Sequence, residues 1–107
     1  MKTGANGLKK ELEKEIVAII LSYKKVEKIV LFGSRAKDNF NQVSDIDLAI
    51  FARDWSSKDI AVVKDKLNES LKTPLKLDIM NFYSLDKESL KNSILKQGRI
   101  LYDSGKN

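Results

Sequence analysis

The 107-residue chain contains no cysteine and no histidine. Disulfides and thiol chemistry are excluded, imidazole cannot serve as acid or base, and a zinc site of the usual Cys/His kind has no ligands. Proline occurs once, as Pro74. Four of the five glycines lie near the ends (Gly4, Gly7, Gly98, Gly105), so Gly33 stands alone in the body of the chain. No apolar run approaches the roughly twenty residues that a membrane-spanning helix needs. The opening Met1-Lys2-Thr3-Gly4-Ala5-Asn6-Gly7 is polar and lacks the apolar core of a signal peptide, so the cytoplasm is the expected location. Any catalysis falls to carboxylates, hydroxyls, lysines or arginines.

What is present describes an ordinary folded domain. Hydrophobic residues make up 42% and charged residues 33%, enough apolar matter for one modest core and not for two. Residues 1–107 are expected to form a single domain, with 1–7 as a flexible lead and 103–107 as a tail, so recognition of a large substrate must come from another chain. The net charge of +5, from 20 Lys and Arg against 15 Asp and Glu, points weakly to a phosphate-rich ligand. The lysines are scattered from Lys2 to Lys106, most of them solvating helix faces. The aromatics are not interleaved with a basic patch, and direct nucleic-acid binding is not expected.

Periodicity predicts alternating elements. Leu8, Leu12, Ile16, Ile19, Ile20 and Tyr23 mark the apolar face of a helix from about 8 to 25. Lys28 to Phe32 reads as a strand, Arg35 to Phe40 as a short helical turn, and 39–44 as a polar loop. A second strand runs from Asp45 to Phe51. Ser56 with Asp59 forms a capping-box start for a helix whose face is Ile60, Val63, Leu67 and Leu71, stopped by Pro74. Leu75 to Met80 is a third strand, with Lys76 and Asp78 on its polar face. Asp86 is expected to cap a last helix with Leu90, Ile94 and Leu95 on its face, ended by Gly98. Arg99 to Tyr102 is a short edge strand or a packed extension. The fold class is α/β (α+β): a small mixed sheet of three to four strands flanked by helices. Trp55 and Tyr102, just beyond strands or near a terminus, are expected as exposed anchors for a partner.

The chemistry concentrates at strand ends. Ile29-Val30-Leu31-Phe32 is closed by Gly33-Ser34, ten residues intervene, and Asp45-Ile46-Asp47 opens the next apolar run. Side chains at i and i+2 share a strand face, so Asp45 and Asp47 sit together with Ile46 facing the core. Such carboxylates repel unless a cation lies between them. Magnesium takes oxygen ligands and leaves positions for substrate phosphates. The pattern assigns Asp45, Asp47 and Asp78 as metal-binding, catalytic carboxylates around one or two Mg²⁺ ions, with Asp78 nearer the attacking hydroxyl. Gly33 lets the backbone approach the phosphates, Ser34 adds a hydroxyl, and Arg35 and Lys37 are candidate cations for the triphosphate. Ser44 is read as the turn residue that launches the strand. Arg53 and Lys76 are read first as exposed charges and only second as contacts to triphosphate or acceptor.

Gly33-Ser34-Arg35-Ala36 with Ser44-Asp45-Ile46-Asp47-Leu48 resembles the signature of the polymerase-beta-like nucleotidyltransferase superfamily, and the chain's size is similar to the superfamily's minimal members. Asp78 within Leu77-Asp78-Ile79 fits the third carboxylate. The resemblance implies magnesium-dependent transfer of a nucleoside monophosphate, usually AMP from ATP, to a hydroxyl with release of pyrophosphate. It also implies a partner: a small helical HEPN-type protein encoded nearby, a toxin whose tyrosine receives AMP from the antitoxin. A homodimer is also compatible. Ala36-Lys37 stands where many relatives have a second arginine or a glycine, and the loop Asp38-Asn39-Phe40-Asn41 is unusually polar, which bears on how triphosphate or acceptor is gripped. Two other readings stay open: a non-catalytic antitoxin that neutralises its partner by occupying it, and a basic nucleic-acid-binding domain with steeply salt-dependent binding.

Overall fold

The computed structural model describes residues 10–32, 46–71 and 77–105. Helix α1 spans Lys10–Tyr23, strand β1 Lys28–Phe32, β2 Ile46–Phe51, helix α2 Ser57–Ser70, β3 Leu77–Asn81, helix α3 Glu88–Gln97 and β4 Arg99–Asp103, with a 3₁₀ turn at Phe82–Ser84 after β3. The sheet order is β3-β2-β1-β4. Strand β1 lies antiparallel to both β2 and β4, with a register shift between Ile29 and Val30 on the β4 side. Strands β2 and β3 are parallel, as a strand–helix–strand crossover through α2 requires. Arg99 to Tyr102 is thus an edge strand. No helix among the described residues is long and apolar enough to cross a membrane.

Alternation along the strands makes two faces. Ile29, Leu31, Ile46, Leu48, Ile50, Leu77 and Ile79 point to one side, where α1 brings Ile16 and Ile20 and α2 brings Val63, Leu67 and Leu71; all are buried. At about 1.5–3 kcal/mol per buried aliphatic side chain, this is the larger share of the apolar driving force. The other face carries Val30, Phe32, Ala49 and Phe51, covered by Ile94 of α3 with Leu90, Met80, Phe82 and Leu85 around them. Ile46 is fully buried, as its place between two aspartates predicted.

Local sequence signals explain most boundaries. The capping box at α2 is complete: the Ser56 side chain accepts from the Asp59 amide and the Asp59 carboxylate accepts from the Ser56 amide at 2.8 Å. Helix α2 ends at Leu71, whose amide donates to the Leu67 carbonyl at 2.9 Å; Pro74 lies outside the described residues.

Two expectations are corrected and a third is borne out. Asp86 does not cap α3: Lys87 occupies the N-cap without a side-chain cap bond, which leaves Asp86 one position too early to accept from the first-turn amides. Leu95, expected on the covered face, is 58% exposed. Gly98 does end α3, its amide donating to the Ile94 carbonyl at 3.1 Å, but its backbone is extended (φ −71°, ψ 153°) rather than left-handed. Glycine is required there by close approach, because a β-carbon would collide with the Ile94 carbonyl oxygen and Val30 Cγ1.

Neither proposed anchor is free. Trp55 is only 5% exposed; its indole N–H donates to the Lys25 carbonyl at 3.1 Å and its ring meets Tyr23 edge-on at 5.4 Å. Tyr102 is partly buried against the α1/α2 core. A buried polar residue that periodicity did not single out, Asn81, fastens the ends of β2 and β3 together: its amide donates to the Ala52 carbonyl at 2.7 Å and its side-chain oxygen accepts from the Tyr83 amide at 3.2 Å. Unpaired, it would cost on the order of 1–3 kcal/mol.

Candidate active site

The site grows out of strand register. Asp47 of β2 pairs with Phe32 of β1 on one side and Asp78 of β3 on the other, so the three form one row across the sheet and point to the α3 face. The next row on that face is Val30, Ala49 and Met80, the apolar floor that Ile94 covers. Asp47 and Asp78 are therefore the residues at which the covered strip gives way to half-exposed positions. They sit one strand spacing apart, about 4.8 Å at the backbone.

Two like charges held this close disfavour each other. A cation from α2 approaches one of them, Lys64 Nζ lying 3.4 Å from Asp78 Oδ1, and the same oxygen accepts from the Ile79 amide at 3.1 Å. The donor set suits a hard divalent cation: carboxylate oxygens only, two on adjacent strands, side by side and reachable from solvent. Among the described residues no three possible ligands converge; Asp45, the third expected carboxylate, lies outside them, as do Gly33, Ser34, Arg35, Lys37, Ser44 and Lys76. The structure thus brings together Asp47 and Asp78, and it adds Lys64, which sequence reasoning missed.

Arg53 does not belong to this site. It follows the far end of β2, more than about 13 Å from Asp47 at the usual rise per strand residue. Its Nε donates to Glu27 at 3.1 Å and its guanidinium lies over the Tyr83 ring at 4.9 Å. Tyr83 donates to the same Glu27 carboxylate at 2.6 Å, and that bond, with Arg53 beside it, holds the carboxyl below its ordinary range. Around this end the aromatics are interleaved with cations, contrary to the sequence reading: Lys28 lies over Phe51 and Lys91 over Phe82, while Phe51 and Phe82 stack at 4.3 Å. These rings close the apolar α3 face. A cleft of about 610 Å³ lined by Leu21, Lys25, Arg53 and Tyr102 also lies at this end and reaches neither aspartate.

The family model described as polymerase beta, nucleotidyltransferase, matches residues 14–107. A crystal structure of a toxin–antitoxin with AMP-PNP shares 26% identity and a TM-score of 0.74, over 86% of this chain and 73% of that one. The toxin–antitoxin MntA-HepT structure shares 23% identity at a TM-score of 0.70, over 91% and 74%. A putative nucleotidyltransferase from Sulfolobus solfataricus shares 21% at 0.59, over 91% and 82%. At those lower identities the likeness is one of fold. No curated protein matches significantly in sequence.

Proposed function

The chain belongs to the polymerase beta nucleotidyltransferase family and is a nucleotidyltransferase, and from that premise we propose that it transfers AMP from ATP, with magnesium, to a hydroxyl of a small helical HEPN-type toxin in the cytoplasm, acting as its antitoxin. The observation that carries the reading is the register pairing of Asp47 with Asp78 at the open end of the α3 face. Likeness to toxin–antitoxin structures, one of them with AMP-PNP, supports the donor and the kind of partner.

Asp45, Asp47 and Asp78 would hold the metal, and Gly33, Ser34, Arg35 and Lys37 the triphosphate. Bound magnesium supplies neutralisation of the charge that builds on the phosphates during transfer. The acceptor oxygen forms a bond to the α-phosphorus while the bond from that phosphorus to the α,β-bridging oxygen breaks, and pyrophosphate leaves with the electron pair. Asp78 takes up or orients the hydroxyl proton. The tyrosine of the partner is the proposed acceptor.

The experiment incubates the chain with the product of its neighbouring gene, α-labelled ATP and Mg²⁺, with Asp45→Asn/Asp47→Asn as control. Label on the partner, lost in the control, is the expected result. A tight complex that neutralises the toxin without label transfer would replace this reading with the non-catalytic antitoxin.

A further inference from the structure

Lys64 reaches Asp78 by an unusual route. Its neighbours Val63 and Leu67 face the buried side of the sheet, yet the Lys64 ammonium meets a carboxylate that points to the opposite side. This is possible because β3 is an edge strand: α2 packs against it, and a lysine stem rotated away from the Val63/Leu67 stripe is long enough to pass around the edge. The two side chains are 40% and 46% exposed, so the pair is of the half-solvated kind that adds little to folding. What it does add is a positive charge beside one of two adjacent carboxylates.

We propose that Lys64 is a resident counter-cation of the metal site, which holds Asp78 until a divalent ion arrives and must give up Asp78 Oδ1 for that ion to bind. The proposal rests on the reading that Asp47 and Asp78 hold metal. Lys64 is then a positioning residue: it offsets the charge of Asp78 and weakens metal binding by competing for a ligand oxygen. The two cations cannot both take the same lone pairs of Oδ1, and their charges oppose each other.

Mn²⁺ binding to the full chain, without nucleotide and followed by the electron paramagnetic resonance of free Mn²⁺, tests this. Lys64→Ala is expected to lower the Kd for Mn²⁺ about two- to fivefold, the range of a half-exposed ion pair. Lys64→Arg, which keeps the charge, is expected to stay near wild type. In an Asp78→Asn background the Lys64→Ala effect should vanish. A Kd that is unchanged or raised in Lys64→Ala overturns the proposal while leaving the metal site in place. Wild-type binding no stronger than that of Asp47→Asn/Asp78→Asn overturns the metal-site reading, and the proposal with it. Unfolding midpoints of the variants distinguish lost structure from altered binding.

Discussion

Alternate residues of the same strands build two faces that are put to different uses. On the α1/α2 face the rows across β1, β2 and β3 are buried, apolar as in Leu31-Leu48-Ile79, and where Asn81 stands beside Ile50 its amide is bonded to the Ala52 carbonyl. On the α3 face one row along, Val30-Ala49-Met80 is covered, but the row beyond it, Phe32-Asp47-Asp78, carries two carboxylates. Phe32 is still closed under the α3 face, but Asp47 and Asp78 are half-exposed, and there charge can be kept without the desolvation that a covered position would impose. Stability and chemistry are thereby separated by a single step along β2, from Leu48 to Asp47.

The largest effects should fall on that step. Leu48→Ala removes a fully buried side chain and is expected to lower unfolding free energy by about 2–5 kcal/mol in urea denaturation. Asp47→Asn, at a half-buried position, should lower the urea midpoint far less than Leu48→Ala, while the proposed AMP transfer falls on the order of 10²–10³-fold, the usual loss when one preorganised electrostatic group is removed. An Asp47→Asn variant that unfolds would break the division between the faces.

A smaller effect probes where the α3 face is tightly closed. Gly98→Ala pushes a methyl group against the Ile94 carbonyl and Val30 Cγ1, and a cost of about 1–3 kcal/mol is expected in the same assay. Because the Gly98 backbone is extended, asparagine should be no better than alanine there; at a left-handed cap it would be better. Recovery of stability in Gly98→Asn would show instead that the helix ends in a left-handed cap.

That contrast shows where sequence reading reached and where it stopped. Strands β1 and β2 were legible because each is a compact apolar run with a polar boundary, and the start of α2 because a capping box is a local device. Asp47 and Asp78 were legible as strand carboxylates, but not their shared row, since register is decided by pairing across chain segments. A glycine after a helix looks the same whether it supplies a positive φ or a close approach. Trp55, between Asp54 and Ser56, has no periodic neighbours to announce its burial. Lys64 is one lysine among many until the edge position of β3 brings it to Asp78.

The helical layer over the buried face offers the gentlest test, because its stitching is polar. Asp59, at the start of α2, accepts from the Tyr23 hydroxyl at 2.6 Å, from the Ser56 amide and from Lys24 at 3.3 Å. These bonds, Tyr23 foremost, hold its carboxyl well below the ordinary carboxylate range. A depressed folded-state pKa contributes stability that is fully present above the unfolded value of about 3.9 and is lost as pH falls below it. Asp59→Asn abolishes that titration. The thermal midpoint of the wild type should therefore exceed that of Asp59→Asn at pH 6, with the gap narrowing below about pH 3.9. The Asp47/Asp78 row lies on the other face and is untouched by this network, so AMP transfer at pH 7 should be retained in Asp59→Asn. A variant that kept its fold and lost transfer would show that α2, through the same helix that carries Lys64, transmits its packing to the carboxylates.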